Sequence, residues 1–180
     1  MNRRTLFVGS GLVAATAGLA LSWWQARPAQ PGAMTLSGPD LWALRFARPE
    51  GGDLVMAPLR GRPLVLNFWA TWCPPCIREM PQLSRFAREF GPAGWQVVGL
   101  AAEPAEPVRR FLKTLPIDFP VGLAGPQALD LSRELGNTQG ALPFTAVFDA
   151  SGRKVQQRLG ETHFEELAEW ARRHSQAPTP

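Results

Sequence analysis

The two cysteines of this 180-residue chain lie three positions apart, in the segment Trp72-Cys73-Pro74-Pro75-Cys76. Two thiols at this spacing can close a disulfide, so the pair is equipped for dithiol–disulfide exchange. A cysteine at the start of a helix also feels the positive end of the helix dipole, which favours its thiolate. The expected chemistry therefore depends on whether a helix begins at this segment.

The residues on either side of the cysteines predict a buried strand followed by a helix. Leu64 to Trp69 is typical of a core strand, and apolar residues then recur at helical spacing from Ile77 to Phe90. Cys73 would then be the N-cap residue and the exposed, attacking sulfur. Cys76 would lie beneath it, at the third helical position, as the resolving thiol.

Two prolines limit the backbone donors available to the Cys73 sulfur. Pro74 and Pro75 would fill the first two helical positions, where proline is tolerated, and neither has an N–H. Because an N-cap acceptor normally draws on the second or third position, the N–H of Cys76 is the donor that remains. A less stabilised thiolate makes the couple more reducing, which favours a reductase over an oxidase.

Strand and helix patterns alternate along the predicted domain, residues 39–175. We predict strands at 41–46, 54–56, 64–69, 95–101, 119–122, 144–148 and 154–159, and helices at 74–90, 104–115, 126–135 and after residue 162. A βαβ unit followed by a ββα unit indicates an α/β fold with a mixed central sheet flanked by helices.

Two predicted helix starts carry acidic residues with an expected role at the helix terminus. Glu103 and Glu106 flank the start of the second helix, where they would interact favourably with its dipole. Thr162 and Glu165 form the pattern of a capping box, in which the glutamate side chain reaches back to the threonine N–H.

Residues 1–26 are predicted to be a membrane anchor or an export signal. A positively charged start precedes an uncharged run at 5–24, which as a helix would be about 30 Å long and would cross a bilayer core. We favour an uncleaved anchor over a cleaved signal peptide, and either one places the domain outside the cytoplasm. Residues 27–38 are predicted to be a linker, and residues 176–180 a flexible tail.

Composition and residue placement argue against several other classes of protein. The net charge is +4, but the basic residues alternate with acidic ones, which argues against nucleic-acid binding. A structural zinc site needs four ligands, and a c-type haem site needs histidine where Ile77 stands. We therefore expect no metal, and no cofactor beyond the redox-active pair Cys73 and Cys76.

The run from Asn67 to Cys76, followed by Glu79-Met80-Pro81, resembles the TlpA/ResA branch of the thioredoxin-like superfamily. The resemblance covers about residues 41–174. It implies a thioredoxin-like fold with an extra strand and helix inserted centrally, within residues 111–135. It also implies a protein-disulfide reductase in the bacterial periplasm or on the outer face of the cytoplasmic membrane.

The same resemblance implies partners. Some members of the branch reduce apocytochrome c before haem attachment, and others act on different exported thiol proteins. Their usual electron donor is a membrane thiol transporter of the DsbD/CcdA type. An oxidase or isomerase on the same fold, and a thiol module that binds a partner or senses oxidants without turnover, remain open as alternatives.

The resemblance further implies roles for residues outside the cysteine pair. An acidic residue at the position of Glu79 lies near the dithiol and affects its titration, the alternative being a solvated surface glutamate. Asn67 stands where thioredoxin has a buried aspartate, and it cannot accept a proton. The catalytic set is thus Cys73, Cys76 and Glu79. The predicted substrate-contacting set is Trp72, Pro74, Pro75, Leu142 and Pro143, the last of these matching the family's cis-proline.

We expect the run at 5–24 to remain in the mature protein as an anchor. Membrane fractionation combined with N-terminal mass determination tests this. A soluble product that starts between Leu21 and Gly32 would instead identify the run as a signal peptide.

Overall fold

The structure, a computed structural model, describes residues 40–174. The predicted anchor, linker and C-terminal tail lie outside these residues. Within the described part of the chain, no helix combines the length and the apolar character needed to span a membrane.

A seven-stranded mixed sheet occupies the centre of the described region. The strands are β1 (Arg45–Ala47), β2 (Asp53–Val55), β3 (Leu64–Trp69), β4 (Gln96–Ala101), β5 (Val121–Leu123), β6 (Phe144–Phe148) and β7 (Lys154–Leu159). They are arranged in the order β2-β1-β5-β4-β3-β6-β7. β3 pairs in parallel with β4 and antiparallel with β6, so β3 lies within the sheet and is buried along its whole length.

Four helices cover the two faces of this sheet. They are α1 (Pro74–Phe90), α2 (Ala105–Thr114), α3 (Gln127–Glu134) and α4 (Phe164–His174). Apolar residues of α1, α2 and α4 share one core cluster with β3, whereas those of α3 belong to a second cluster on the other face. Residues 40–174 therefore form the predicted α/β fold, a mixed sheet with helices on both faces.

The elements around the cysteines agree with the sequence predictions, and the main error lies at the start of the domain. The predicted bounds of β3, β6, β7 and α1 match those observed, and β5 and α3 lie in the segment where an insertion was expected. The strand predicted at 41–46 begins too early, because β1 covers only Arg45–Ala47. The Asp40 carboxylate accepts a hydrogen bond from the Trp42 N–H (3.2 Å) and begins a short 3₁₀ turn, Leu41–Ala43, before β1.

Four chain segments meet at one edge of the sheet. Phe68, near the end of β3, pairs with Phe144 at the start of β6, and Phe144 pairs with Leu159 at the end of β7. The parallel strand β4 ends at the same edge as β3. The turn that carries Cys73 therefore lies at the same edge as the loop before β6 and the segments that follow β4 and β7.

Candidate active site

Cys73 and Cys76 form a disulfide at the first turn of α1, with their Cα atoms 5.3 Å apart. Cys73 is the N-cap residue, and Pro74 and Pro75 follow it at the first two helical positions. The Cys76 N–H donates to the Cys73 sulfur at 3.3 Å. The predicted helix start and its one remaining N–H donor are both confirmed.

The two sulfurs differ little in exposure, although they differ in the predicted direction. Cys73 is 5% exposed and Cys76 is fully buried. The expectation of an openly exposed Cys73 is wrong, because both cysteines join the apolar cluster between α1 and the sheet. Cys73 is thus the more accessible of the two residues, and Cys76 cannot be reached without a rearrangement.

The surface around Cys73 is apolar. Trp72 is 66% exposed and is the one large hydrophobic side chain so exposed among residues 40–174. Pro74 is exposed, and Pro75 and Leu142 are half-buried. Pro143 is buried and follows a cis peptide bond, so it offers little side-chain surface to a substrate.

Glu79 lies one helical turn after Cys76 and is fully buried, which excludes the alternative of a surface glutamate. Its Oε1 accepts a hydrogen bond from Nδ2 of Asn67 at 2.7 Å. Its Oε2 accepts one from the backbone N–H of Thr162 at 2.9 Å. Both carboxylate oxygens are thus held by donors from other parts of the chain.

The pleat of the sheet explains why a polar cluster lies under α1. Side chains alternate between the faces of a strand, so Asn67 shares with Val65 and Trp69 the face that α1 covers. Thr145 is the cross-strand partner of Asn67 on β6, and its hydroxyl accepts from Nδ2 of Asn67 at 3.0 Å. These contacts place Glu79 over the middle of the sheet.

Burial raises the pKa of Glu79 from 4.5 to about 7, although the hydrogen bonds from Thr162 and Asn67 act in the opposite direction. The nearby charge of Glu161 raises this pKa further. Removing a carboxylate from water disfavours its charged form, and this effect dominates here. Glu79 is consequently a buried acid that gains and loses its proton near neutral pH.

Thr162 has a role that the sequence did not indicate. The predicted capping box would direct the Thr162 N–H to Glu165, but the structure directs it to Glu79, and α4 begins at Phe164. The Thr162 hydroxyl also donates to the Thr145 hydroxyl at 3.3 Å. The segment after β7 is therefore bound to the acid beneath the dithiol.

Glu103 also differs from its prediction. Its carboxylate accepts hydrogen bonds from the N–H and, at 2.9 Å, from the hydroxyl of Thr71, two residues before Cys73. The expected interaction with the dipole of α2 does not account for a side chain that is only 6% exposed and turned toward another loop.

The chain is similar to known thiol-disulfide proteins. A model of the Redoxin family matches residues 45–169. The thiol-disulfide oxidoreductase ResA of Bacillus thuringiensis subsp. konkukian is 31% identical over 127 residues, which are 69% of this chain and 70% of that protein.

Two solved structures show the same fold. A thiol:disulfide interchange protein of the thioredoxin family from Chlorobium tepidum superposes with a TM-score of 0.64 and 28% identity, covering 74% of this chain and 93% of that one. StoA from Bacillus subtilis gives a TM-score of 0.58 at 25% identity, covering 71% and 95%.

The raised pKa of Glu79 has a consequence for stability that can be measured on the oxidised protein. Between pH 4.5 and about 7 the folded chain keeps a proton on Glu79 that the unfolded chain has lost. The wild type should therefore lose stability relative to Glu79→Gln as the pH rises through this window, by up to about 3 kcal/mol, since one pKa unit corresponds to about 1.4 kcal/mol.

Urea unfolding of the two disulfide-bonded proteins from pH 4 to pH 8 provides the comparison. Glu106→Gln removes an exposed carboxylate and serves as the control, whose stability should run parallel to the wild type. A constant difference between wild type and Glu79→Gln across this range would contradict the raised pKa.

Proposed function

Because the chain belongs to the Redoxin family, in its TlpA/ResA-like branch of thiol-disulfide oxidoreductases, we propose that it reduces disulfides in exported proteins. One observation carries the choice of direction. The Cys73 sulfur, at the N-cap of a helix, has one backbone N–H within reach, because Pro74 and Pro75 remove the preceding two. A weakly stabilised thiolate destabilises the reduced form and favours the transfer of electrons to a substrate.

In the proposed reaction the reduced protein attacks with its more accessible sulfur. The Cys73 thiolate bonds to one sulfur of the substrate disulfide, and the other substrate sulfur leaves as a thiolate that takes up a proton. Cys76 then loses its proton and attacks the Cys73 sulfur, which closes the Cys73–Cys76 disulfide and releases the second substrate thiol. Two electrons pass from the protein to the substrate, and no further cofactor is needed.

Glu79 is the proposed proton acceptor for Cys76 in the second step. Cys76 is fully buried, so water has little access to its thiol. Glu79 lies one turn along the same helix, and burial raises its pKa to about 7, a value suited to taking up and returning a proton at neutral pH. Asn67, at the position of the thioredoxin aspartate, holds Glu79 without replacing it.

The proposed substrate contact is the apolar surface formed by Trp72, Pro74, Pro75 and Leu142 around Cys73, with the backbone at Pro143 available to an extended segment. We place the domain on the outer face of the cytoplasmic membrane, attached through residues 5–24. A membrane thiol transporter of the DsbD/CcdA type is the proposed donor that reduces the disulfide again. Apocytochrome c, on which some members of the branch act, is the first substrate to test.

The direction of transfer is tested by the reduction potential of the purified protein. We expect a value near that of thioredoxin, about −270 mV, and far below that of strongly oxidising periplasmic enzymes, about −120 mV. Equilibration with glutathione buffers and titration of free thiols measures it. A couple that stays reduced in a mildly oxidising buffer would contradict the reductase and favour the oxidase.

A matched pair of variants tests the physical reason. Pro75→Ala restores an N–H at the second helical position and should raise the potential by about 30 mV, the equivalent of one added hydrogen bond to the thiolate. Pro74→Ala restores an N–H at the first position, which an N-cap acceptor does not normally use, and should change the potential less.

The roles of the sulfurs are tested by trapping. Cys76→Ser should accumulate a mixed disulfide between Cys73 and a substrate, because the resolving thiol is missing. Cys73→Ser should accumulate none, since Cys76 is fully buried. Capture by Cys73→Ser alone would reverse the assignment. Mass spectrometry of the captured species identifies both the bonded cysteine and the substrate.

A further inference from the structure

The turn that precedes Cys73 is hydrogen-bonded to the buried carboxylate of Glu103. Three residues, Ala70, Thr71 and Trp72, connect the end of β3 to Cys73. The Cys73 N–H donates to the Ala70 carbonyl at 3.2 Å, which closes the turn on itself. Thr71, in the middle of the turn, instead binds through both its N–H and its hydroxyl to Glu103.

The sheet places Glu103 beside this turn. β3 and β4 are parallel, and their pairing continues past Ala101, since the Ala102 N–H donates to the Trp69 carbonyl at 2.9 Å. The next residue, Glu103, therefore lies alongside the turn at the level of Thr71. Its position is fixed by the register of the two central strands.

The Glu103 carboxylate is hydrogen-bonded by Thr71, and no cationic side chain among the described residues pairs with it. Its side chain is buried, and none of the ion pairs found within residues 40–174 includes it. A buried carboxylate requires hydrogen-bond donors, and charge-assisted hydrogen bonds are among the stronger ones in proteins. Two such bonds to one residue fix both the backbone and the side chain of Thr71.

We infer that Glu103 is a positioning residue for the reaction, acting through Thr71 to hold Cys73 where its sulfur accepts the Cys76 N–H. The inference rests on the proposed role of Cys73 as the nucleophile. That sulfur has a single N–H donor at 3.3 Å, so a small movement of the turn removes the one hydrogen bond that stabilises its thiolate. Trp72 belongs to the same turn. The hydrogen bonds between Glu103 and Thr71 therefore hold its exposed ring beside Cys73 as well.

Two substitutions of Thr71 separate the hydroxyl from the rest of the side chain. Thr71→Val keeps the shape and the backbone N–H but removes the hydroxyl that donates to Glu103, whereas Thr71→Ser keeps the hydroxyl. Neither changes the charge near the dithiol. We expect Thr71→Val to raise the pKa of Cys73 and to slow its reaction with iodoacetamide at pH 7 about three- to fivefold, the size expected for a weakened hydrogen bond to a thiolate. Thr71→Ser should match the wild type.

The measurement is the alkylation rate of each cysteine against pH in the reduced full-length chain, with the modified peptide identified by mass. A loss of stability alone would not move the pH midpoint of this reaction in a folded protein. Circular dichroism confirms that each variant is folded. Equal midpoints for wild type, Thr71→Val and Thr71→Ser would overturn the inference.

A substitution of Glu103 tests the other side of this interaction. Glu103→Ala removes both acceptors, so adding Thr71→Val to it should change the alkylation rate by less than twofold. Glu106→Ala, an exposed acidic residue on α2, is the control for lost charge and should leave the midpoint in place. An additive effect of Thr71→Val in the Glu103→Ala background would overturn the inference. If Glu103→Ala does not fold, the comparison of Thr71→Val with Thr71→Ser decides alone.

Alkylation of Cys76 before Cys73 in the wild type would instead contradict the proposed function.

Discussion

A carboxylate buried in an apolar layer must be hydrogen-bonded, and this requirement ties Glu79 of α1 to β3, to β6 and to the segment before α4. Its oxygens are satisfied by Asn67 of β3 and by the N–H of Thr162, and Thr145 of β6 completes the cluster. Removing one donor would leave a buried oxygen of Glu79 without a hydrogen bond, which costs about 1–3 kcal/mol. The requirement therefore fixes where α1 lies over the sheet and where the chain turns into α4.

The dithiol occupies an apolar setting just above this cluster. Both cysteines belong to the core between α1, α4 and the sheet, where burial disfavours the thiolate. The dipole of a 17-residue helix and one N–H act in the opposite direction. In the proposed reaction, a Cys73 thiolate with modest stabilisation would give up electrons readily. Glu79, whose pKa burial raises to about 7, would take up and return the accompanying proton.

Local sequence patterns predicted the parts of the site that depend on neighbours in the chain. Three local patterns placed Cys73 at the N-cap: the continuous apolar run of β3, the helical spacing after Ile77 and the two prolines. The same prolines left the Cys76 N–H as the one backbone donor to the Cys73 sulfur. The partners that the sequence did not reveal are distant in the chain. Thr162 is 83 positions from Glu79, and Glu103 is 32 positions from Thr71. Those pairs depend on strand register and on how the segments meet at the sheet edge, which no local pattern specifies.

The difference in burial between the two sulfurs also determines the order of binding. A disulfide that opens to solvent only at Cys73 has one point of entry, and Trp72 stands beside it. In the proposed reaction, the partner that delivers electrons and the partner that receives them would occupy this same surface in turn. The proposed reaction is therefore a ping-pong scheme in which the two partners compete for one surface. Each partner would have to leave before the other could bind, so a surface that bound either of them tightly would slow the cycle.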